Sequence, residues 1–263
     1  MQAITYHRYG APDVLELQEV EQPVPADDEV LVRVHAASVN PRDWHYLRGL
    51  PYVLRPVALR VPEDGGLGSD VAGRVEAVGR AVSRFRPGDE VSAFVRKGAF
   101  AEYTCVPEDA LGPKPANLSF EQAAAVPLAG LTALQGLRDH GRVRPGQRVL
   151  IAGASGGVGT FAVQLAREFG AEVTGVCSTR NLELVRSLGA DEVIDYTRED
   201  FAGNGRRYDL IFQLAGARSP AGCRRALTPK GQLILSSGEG PAAGSGRWAG
   251  CSRPSPSEVS PRR

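Results

Sequence analysis

The stretch "RVLIAGASGGVGTF" at 148–161 constrains the fold of this chain more than any other part of the sequence. An apolar run typical of a buried parallel strand leads into a glycine-rich turn, and an amphipathic pattern that predicts a helix follows. Such a turn lets the backbone approach a pyrophosphate and directs the free N–H groups of the helix N-terminus at the anion. A tight turn without a ligand is the alternative. In its strand–helix–strand context, the stretch predicts a dinucleotide-binding site.

The rest of the second half continues the alternation of strands and helices. It begins with a capping-box pattern, Ser119 followed by Gln122, and a helical run that Pro127 interrupts. Further helices are predicted at 156–170 and 181–189, and five strands are predicted at 148–154, 171–177, 191–196, 208–216 and 231–238. This pattern is typical of a doubly wound parallel sheet.

The first half has a different rhythm of short strands joined by glycine and proline turns. The runs 29–39 and 70–79 alternate apolar and polar residues, and 98–107 resembles a further strand. Many short strands of this kind favour a partly open antiparallel barrel. The predicted class is α/β, with a partly open β-barrel domain over 1–118 and a doubly wound domain over 119–238.

The end of the sequence, 239–263, is dominated by glycine, proline, alanine, serine and arginine and lacks apolar periodicity. This composition predicts disorder, and no sixth strand is predicted for the sheet. We therefore expect the doubly wound domain to be incomplete at its C-terminal end.

Charge and composition exclude several classes of partner. Lys+Arg is 31 and Asp+Glu is 30, so nothing favours binding to nucleic acid or to a membrane surface. The N-terminus has no apolar run long enough for a signal peptide or membrane span, and a cytoplasmic location is predicted. The four cysteines and four histidines are not spaced like metal ligands, so four structural thiols are the simplest interpretation.

The glycine-rich turn carries a variant of the dinucleotide fingerprint. Ala154 takes the first glycine position, while Gly156 leaves room for the pyrophosphate and Gly159 lets helix and strand pack closely. The residues predicted to bind the cofactor here are Ala154, Ser155, Gly156, Gly157, Val158 and Gly159.

The end of the next strand favours NADPH over NADH. An acid there would bind the ribose 2′-hydroxyl of NAD, but Cys177 occupies that position. Ser178, Thr179 and Arg180 follow, and two hydroxyls with a guanidinium suit a 2′-phosphate. The alternative is that Arg180 is simply a solvated residue at the start of the next helix.

Four further stretches carry a resemblance to a known family: "AASVNPRDW" (36–44), "GSDVAGRVEAVGRAVSRFRPGDEV" (68–91), "GAFAEY" (98–103) and "AAAVPLAGLTALQGL" (123–137). With "GASGGVGT", their order resembles the zinc-independent quinone oxidoreductase branch of the medium-chain dehydrogenase/reductase superfamily. The resemblance covers residues 1 to about 238. It implies a GroES-like barrel domain plus a Rossmann domain, an active site in the cleft between them, a possible homodimer, and a chain truncated at its C-terminus.

The resemblance also bears on metal binding. Zinc-dependent relatives hold catalytic zinc at three positions that correspond to Asn40, Ser69 and Leu128 here. Leucine cannot ligate a metal, and amide and hydroxyl groups are poor zinc ligands. We therefore expect no zinc, and no Lewis acid to polarise a simple alcohol or ketone.

The family's site residues transfer to this sequence at a few positions. Asn40 is expected to line the substrate and nicotinamide region and to donate to a carbonyl, and Thr132 to lie near the nicotinamide. Tyr196 resembles the residue that contacts the adenosine phosphate. Asp43 is a site candidate, with a helix-capping carboxylate as the alternative.

Proton donors are less well defined by the sequence. His45 and Tyr46 are the nearest candidates, with ordinary packing as the alternative, and Tyr52 is a weaker one in a loop that would cover the cleft. That loop, 47–66, is longer and more basic than in the compact family form, through Arg48, Arg55 and Arg60. These arginines would attract an anionic substrate or form a solvated loop face.

The expected reaction is hydride transfer from NADPH to a small-molecule quinone or α,β-unsaturated carbonyl, whose conjugation spreads the incoming charge. An enoyl or alkenal reductase, or an alcohol dehydrogenase-like enzyme of the same superfamily, is one alternative. The other is a truncated nucleotide-binding fragment with little or no activity.

Overall fold

The computed structural model describes residues 1–49, 66–216 and 218–236. The predicted loop residues Tyr52, Arg55 and Arg60 and the predicted disordered tail at 239–263 lie outside the described residues. None of the helices in the described ranges is long and apolar enough to cross a membrane.

The first half forms two antiparallel sheets. A hairpin of β1 (Gln2–Thr5) and β2 (Glu16–Glu19) is joined to the larger sheet by a bridge between Ala3 and Ala101. The larger sheet has the order β6-β3-β4-β5-β7, from strands β3 (Glu29–Ser38), β4 (Asp70–Val78), β5 (Glu90–Phe94), β6 (Tyr103–Pro107) and β7 (Leu111–Pro113). Helix α1 (Pro41–Arg48) follows β3.

Valines at alternate positions of the strands form the buried core of this sheet. Val30, Val32, Val71 and Val91 are at most 1% exposed, because alternate residues of each strand point to the same face. Gly73 allows β4 to lie close to β3, since a Cβ there would be 2.0 Å from the Arg33 carbonyl oxygen. The strand predicted over 98–107 begins only at Tyr103, after a turn in which Gly98 has a φ of 89°.

Helices α2 (Phe120–Ala124) and α3 (Pro127–Leu134) connect the two halves. The Ser119 hydroxyl accepts the Gln122 N–H, and the Gln122 side chain accepts the Ser119 N–H, so the predicted capping box is present. Pro127 begins α3 instead of merely interrupting a helix, which fits its missing N–H. A π-helical turn, Gln135–His140, extends α3.

The second half is a five-stranded parallel sheet of order β10-β9-β8-β11-β12. Its elements are β8 (Arg148–Ala152), α4 (Gly157–Glu168), β9 (Glu172–Cys177), α5 (Leu182–Ser187), β10 (Glu192–Asp195), β11 (Tyr208–Gln213), α6 (Pro220–Arg224) and β12 (Leu227–Leu235). Strand order reverses between β8 and β11, so their carboxyl ends frame the crevice where this architecture binds ligands.

Both faces of this sheet are covered, which explains its nearly continuous apolar strands. Leu150, Ile151, Ile211 and Phe212 are fully buried. The outer strand β12 begins four residues before the predicted position and includes Pro229, which is tolerated on an edge strand. The α/β class, with a curled antiparallel domain and a Rossmann-like domain, is confirmed.

Candidate functional site

The glycine-rich turn lies between β8 and α4, as predicted. Gly156 is the N-cap of α4, and the N–H groups of the first helical turn have no intrahelical acceptor, so they are available to an anion. A Cβ on Gly159 would lie 2.1 Å from the Gly153 carbonyl oxygen, whereas one on Gly157 would meet nothing within 4 Å. Gly159 therefore packs the helix against the turn, and Gly157 leaves open space above it.

The turn depends on one glycine that the fingerprint did not single out. Gly153 has a φ of 89°, and a Cβ there would lie 2.8 Å from the Ala215 Cβ. The fully buried Ala154 follows and donates its N–H to the Val176 carbonyl at 3.0 Å, which ties the turn to β9. Gly153 thus provides the left-handed step, which explains how alanine fits the first fingerprint position.

The predicted ribose-recognition residues lie at the carboxyl end of β9. Cys177 is 2% exposed, and its burial raises the pKa of the thiol. The Thr179 hydroxyl donates to Asp195 at the end of the neighbouring strand β10, so it is not free for a ligand. Hydrogen bonds from the Thr179 and Thr197 hydroxyls lower the pKa of Asp195. Arg180 is exposed, and its guanidinium has no hydrogen bond or ion pair with any described residue.

Sequence reasoning missed Asn181, which connects the two parts of this site. Its amide donates to the Ser155 hydroxyl at 3.0 Å and to the Ser178 hydroxyl at 3.2 Å. Ser155 belongs to the glycine-rich turn and Ser178 to the end of β9, so one side chain fixes their spacing. Tyr196 follows β10, donates its N–H to the Cys177 carbonyl and leaves its side chain 63% exposed.

The second group of predicted residues surrounds the start of α1. Asn40 is the N-cap, and Asp43 accepts its backbone N–H at 2.7 Å, so the capping alternative describes what Asp43 does here. The Asn40 amide donates to Ser38 Oγ at 3.1 Å and to Asp70 at 3.0 Å. The amide that we expected to donate to a substrate carbonyl is therefore engaged inside the protein.

Asp70 is the centre of this group, and the sequence analysis did not identify it. It is fully buried and accepts hydrogen bonds from the Ser38 hydroxyl, the Asn40 amide and the Leu128 N–H at 2.9, 3.0 and 2.9 Å. Burial raises the pKa of Asp70 in spite of these hydrogen bonds. The contact with Leu128 connects the barrel domain to α3, where the Thr132 hydroxyl donates to the Leu128 carbonyl at 2.7 Å.

The three zinc-ligand positions offer no thiolate, imidazole or carboxylate. Ser69 Oγ donates to Asp43 at 3.0 Å and accepts a hydrogen bond from Arg42 at 2.9 Å. Burial raises the pKa of Asp43 as well. Among the described residues, no three His, Cys, Asp or Glu side chains form a group that could hold a metal ion. The donor set at these positions does not fit zinc.

The two proton-donor candidates have different surroundings. The His45 ring lies edge-on to Trp44, and its Nδ1 is buried with no hydrogen-bond partner among the described residues. Tyr46 is 44% exposed, and its hydroxyl accepts a hydrogen bond from Arg42 at 3.0 Å. Of the two, only Tyr46 has both an oriented polar group and access to solvent.

The two neighbouring turn glycines provide a matched pair of substitutions. We expect Gly159→Ala to lower the free energy of unfolding by about 2–4 kcal/mol, because backbone must move to admit the methyl group. Gly157→Ala should leave stability within about 0.5 kcal/mol of wild type, since its methyl meets open space and alanine favours a helix. Urea unfolding checks both, and equal losses would contradict the packing role of Gly159.

The raised pKa of Asp70 predicts that the free energy of unfolding depends on pH. Its unfolded carboxyl ionises near 3.8 and the folded one at higher pH. In between, the folded protein retains a proton that the unfolded chain has lost, so the free energy of unfolding falls as pH rises. Asp70→Asn lacks this titration. Its Nδ2 group would face hydrogen-bond donors and accept from none of them, which lowers the free energy of unfolding by about 1–3 kcal/mol.

The free energy of unfolding of wild type should therefore exceed that of Asp70→Asn by an amount that decreases as pH rises from about 4 through the folded pKa of Asp70. Above that pKa the difference should stay constant. Urea unfolding at several pH values measures it. The exposed Asp109→Asn serves as control and should match wild type throughout. An advantage that grows with pH over this range would contradict a raised pKa.

Comparison with known proteins places these features in a family. Residues 26–116 match the model of the alcohol dehydrogenase GroES-like domain, and residues 157–245 match that of the zinc-binding dehydrogenases. The quinone-oxidoreductase homolog of Spinacia oleracea chloroplasts is 41% identical over 228 residues, which cover 80% of this chain and 67% of that protein. The chloroplastic NADPH-dependent alkenal/one oxidoreductase of Arabidopsis thaliana is 38% identical over 270 residues, with 89% and 67% covered.

Comparison with solved structures supports the same family assignment. The quinone oxidoreductase of Coxiella burnetii superposes with a TM-score of 0.82 at 34% identity, over 89% of this chain and 75% of that one. The chain spans about two thirds of the length of the two curated relatives. Both relatives are chloroplastic, so a cytoplasmic location stays a prediction, as does a homodimer. The chain belongs to the medium-chain dehydrogenase/reductase superfamily, in its quinone oxidoreductase branch, and is a nicotinamide-dependent oxidoreductase.

Proposed function

We propose that the chain reduces a quinone or an α,β-unsaturated carbonyl with NADPH and without zinc. The observation that carries the proposal is the chemistry at the zinc-ligand positions, where Ser69 hydrogen-bonds to Arg42 and Asp43 and leaves no metal donor set. A quinone or enone spreads the charge of an added hydride over its own conjugated system, so it needs less polarisation than a simple ketone.

The dinucleotide would bind along the carboxyl edge of the parallel sheet. Its pyrophosphate would lie on the glycine-rich turn, over Gly156 and Gly157 and against the N–H groups of α4. NADPH supplies a hydride when bound; this chain's residues orient it and exclude water. Thr132 on α3 and Asn40 at the start of α1 are proposed to line the nicotinamide side, with the Asn40 amide held in place by Asp70.

Preference for NADPH rests on Ser178 and Arg180. Because Thr179 donates to Asp195, the 2′-phosphate contacts would be made by the Ser178 hydroxyl and the Arg180 guanidinium. Among the described residues, neither the hydrogen of that hydroxyl nor the guanidinium has a partner. Cys177 replaces the acid that would repel a phosphate, and the exposed Tyr196 ring is proposed to flank the adenosine. The NADPH-dependent relative from Arabidopsis supports this assignment.

The proposal retains the domain organisation inferred from the sequence. A substrate domain over 1–118 and an NADPH-binding domain over 119–238 agree with the change from antiparallel strands to helices at Phe120. The proposed acceptor class includes quinones, alkenals and enones, because the relatives include a quinone-oxidoreductase homolog and an alkenal/one oxidoreductase. A nucleotide-binding chain that binds NADPH without turnover is the contrary outcome of the assay below.

Steady-state assays of purified protein test the reaction. We expect NADPH oxidation with a quinone or an enone, little with a simple ketone, and no loss of rate after treatment with a zinc chelator. Loss of activity on chelation that added zinc restores would overturn the zinc-independent assignment. NADPH binding with no turnover on any acceptor would favour the inactive nucleotide-binding chain.

Arg180→Ala tests the cofactor preference. It should raise the Kd for NADPH about tenfold, because it removes a charge-assisted hydrogen bond to the 2′-phosphate, and leave the Kd for NADH nearly unchanged. Arg144→Ala, an exposed arginine before the amino end of β8, is the matched control and should change neither constant. Equal effects of Arg180→Ala on both cofactors would contradict the assignment; nicotinamide fluorescence measures both.

A further inference from the structure

The family resemblance assigns no function to Arg42, yet its guanidinium contacts one of the zinc-ligand positions, Ser69. Its Nη1 donates to Ser69 Oγ at 2.9 Å and to the Arg96 carbonyl oxygen at 3.0 Å, and its Nη2 donates to the Tyr46 hydroxyl at 3.0 Å. Among the described residues, no carboxylate forms a direct ion pair with it. Asp43 interacts with it through the intervening Ser69 hydroxyl.

Aromatic rings hold the guanidinium in a defined orientation. Its central carbon lies 4.5 Å from the centroid of the Tyr46 ring and 5.2 Å from that of Phe94. The contacts come from α1, from the residue before β4, and from β5 and the segment after it. A planar guanidinium fixed from several sides has little freedom to rotate away from the Tyr46 oxygen.

The direction of each hydrogen bond follows from the chemistry of the donors. A guanidinium only donates, so the oxygen atoms of both Ser69 and Tyr46 act as acceptors toward Arg42. Ser69 uses its own hydrogen on Asp43. The hydrogen of the Tyr46 hydroxyl has no acceptor among the described residues, and Tyr46 is 44% exposed. Arg42 therefore leaves Tyr46 as an outward-facing hydrogen-bond donor.

We propose that Arg42 is a positioning residue that directs the Tyr46 O–H toward the carbonyl oxygen of the acceptor. This inference rests on the proposed function. The oxygen of a quinone or enone gains negative charge as hydride adds, and a donor whose own oxygen contacts a cation stabilises that charge more strongly than an isolated phenol does. His45 is unsuited to this role, because its Nδ1 is buried and its ring packs against Trp44.

A double-mutant cycle on steady-state reduction tests the connection. Arg42→Met and Tyr46→Phe should each lower kcat about tenfold with an acceptor and leave the KM for NADPH unchanged. If Arg42 acts through Tyr46, the double variant should be no slower than the slower single variant. Arg42→Lys should recover part of the loss, since one N–H donor to Tyr46 can re-form. Additive losses in the double variant would overturn the inference.

Arg33→Met is the matched control for charge. It removes an exposed cation from β3 of the same domain, outside the group of residues that contact Arg42. Its kcat should stay at the wild-type value. A tenfold fall in this variant would show that net charge, and not the orientation of Tyr46, controls the rate. Thermal unfolding of every variant confirms that the comparison is made among folded proteins.

Acceptor binding gives a readout that does not depend on turnover. Trp44 lies two residues from Tyr46, and Trp248→Phe leaves it as the sole tryptophan of the chain. Quenching of Trp44 fluorescence by tetramethyl-1,4-benzoquinone, without cofactor, then measures the Kd for a quinone. Arg42→Met and Tyr46→Phe should each raise this Kd by about three- to tenfold, the cost of one hydrogen bond.

The two readouts separate the inference from the function on which it rests. A wild type that binds and reduces quinone while Arg42→Met keeps the same kcat and the same Kd would overturn the role of Arg42 alone. A wild type that neither quenches with quinone nor turns over any acceptor would overturn the proposed function and this inference together.

Discussion

The buried Asp70 carboxylate joins the start of β4 to two segments that are far from it in the sequence, residues 38–40 and α3. Its two oxygens accept hydrogen bonds from the end of β3, from the Asn40 amide at the start of α1, and from the Leu128 N–H in the first turn of α3. A fully buried carboxylate is stable only when its lone pairs are satisfied. The geometry of α1 and α3 is therefore set by the same charge, and the proposed substrate residues on both helices depend on it.

The same region explains how a fold shared with zinc-binding dehydrogenases accommodates different residues at the ligand positions. Ser69 is not an unused position, since it connects the Asp43 carboxylate to the Arg42 guanidinium. In the zinc-independent reaction proposed above, these opposite charges would balance each other without a metal ion.

Local patterns were sufficient to predict most of the architecture. The capping box at Ser119, the close packing at Gly159 and the five parallel strands each depend on residues near one another in the sequence. Asp70 could not be found in this way, because its partners lie 30 to 58 residues away, and neither could the contact of Arg42 with Ser69, which lies 27 residues away. One feature of the sequence did indicate Asp70, because it is an acid at the first position of an otherwise apolar strand. Interpreting that strand as an ordinary alternation of apolar and polar residues left Asp70 unidentified.

Two further differences have the same origin. Asn40 was assigned a free amide because its residue type suits a carbonyl, but the position of Ser38 and Asp70 beside it depends on the pairing of β3 with β4. Likewise, the hydroxyl of Thr179 was counted toward the cofactor, and only the parallel pairing of β9 with β10 brings Asp195 next to it. In both cases the sequence predicted that the side chain can form hydrogen bonds, but it did not predict which residue of the fold would be the partner.

The Asn181 amide sets the distance between two hydroxyl groups at the proposed cofactor site. It donates one hydrogen to Ser155 and the other to Ser178, so each hydroxyl retains its own hydrogen for an outside oxygen. One planar amide thus fixes the spacing of the two hydroxyls before any ligand binds. For the proposed cofactor, this spacing would favour one distance between two anionic groups of the ligand, and little conformational entropy would be lost on binding.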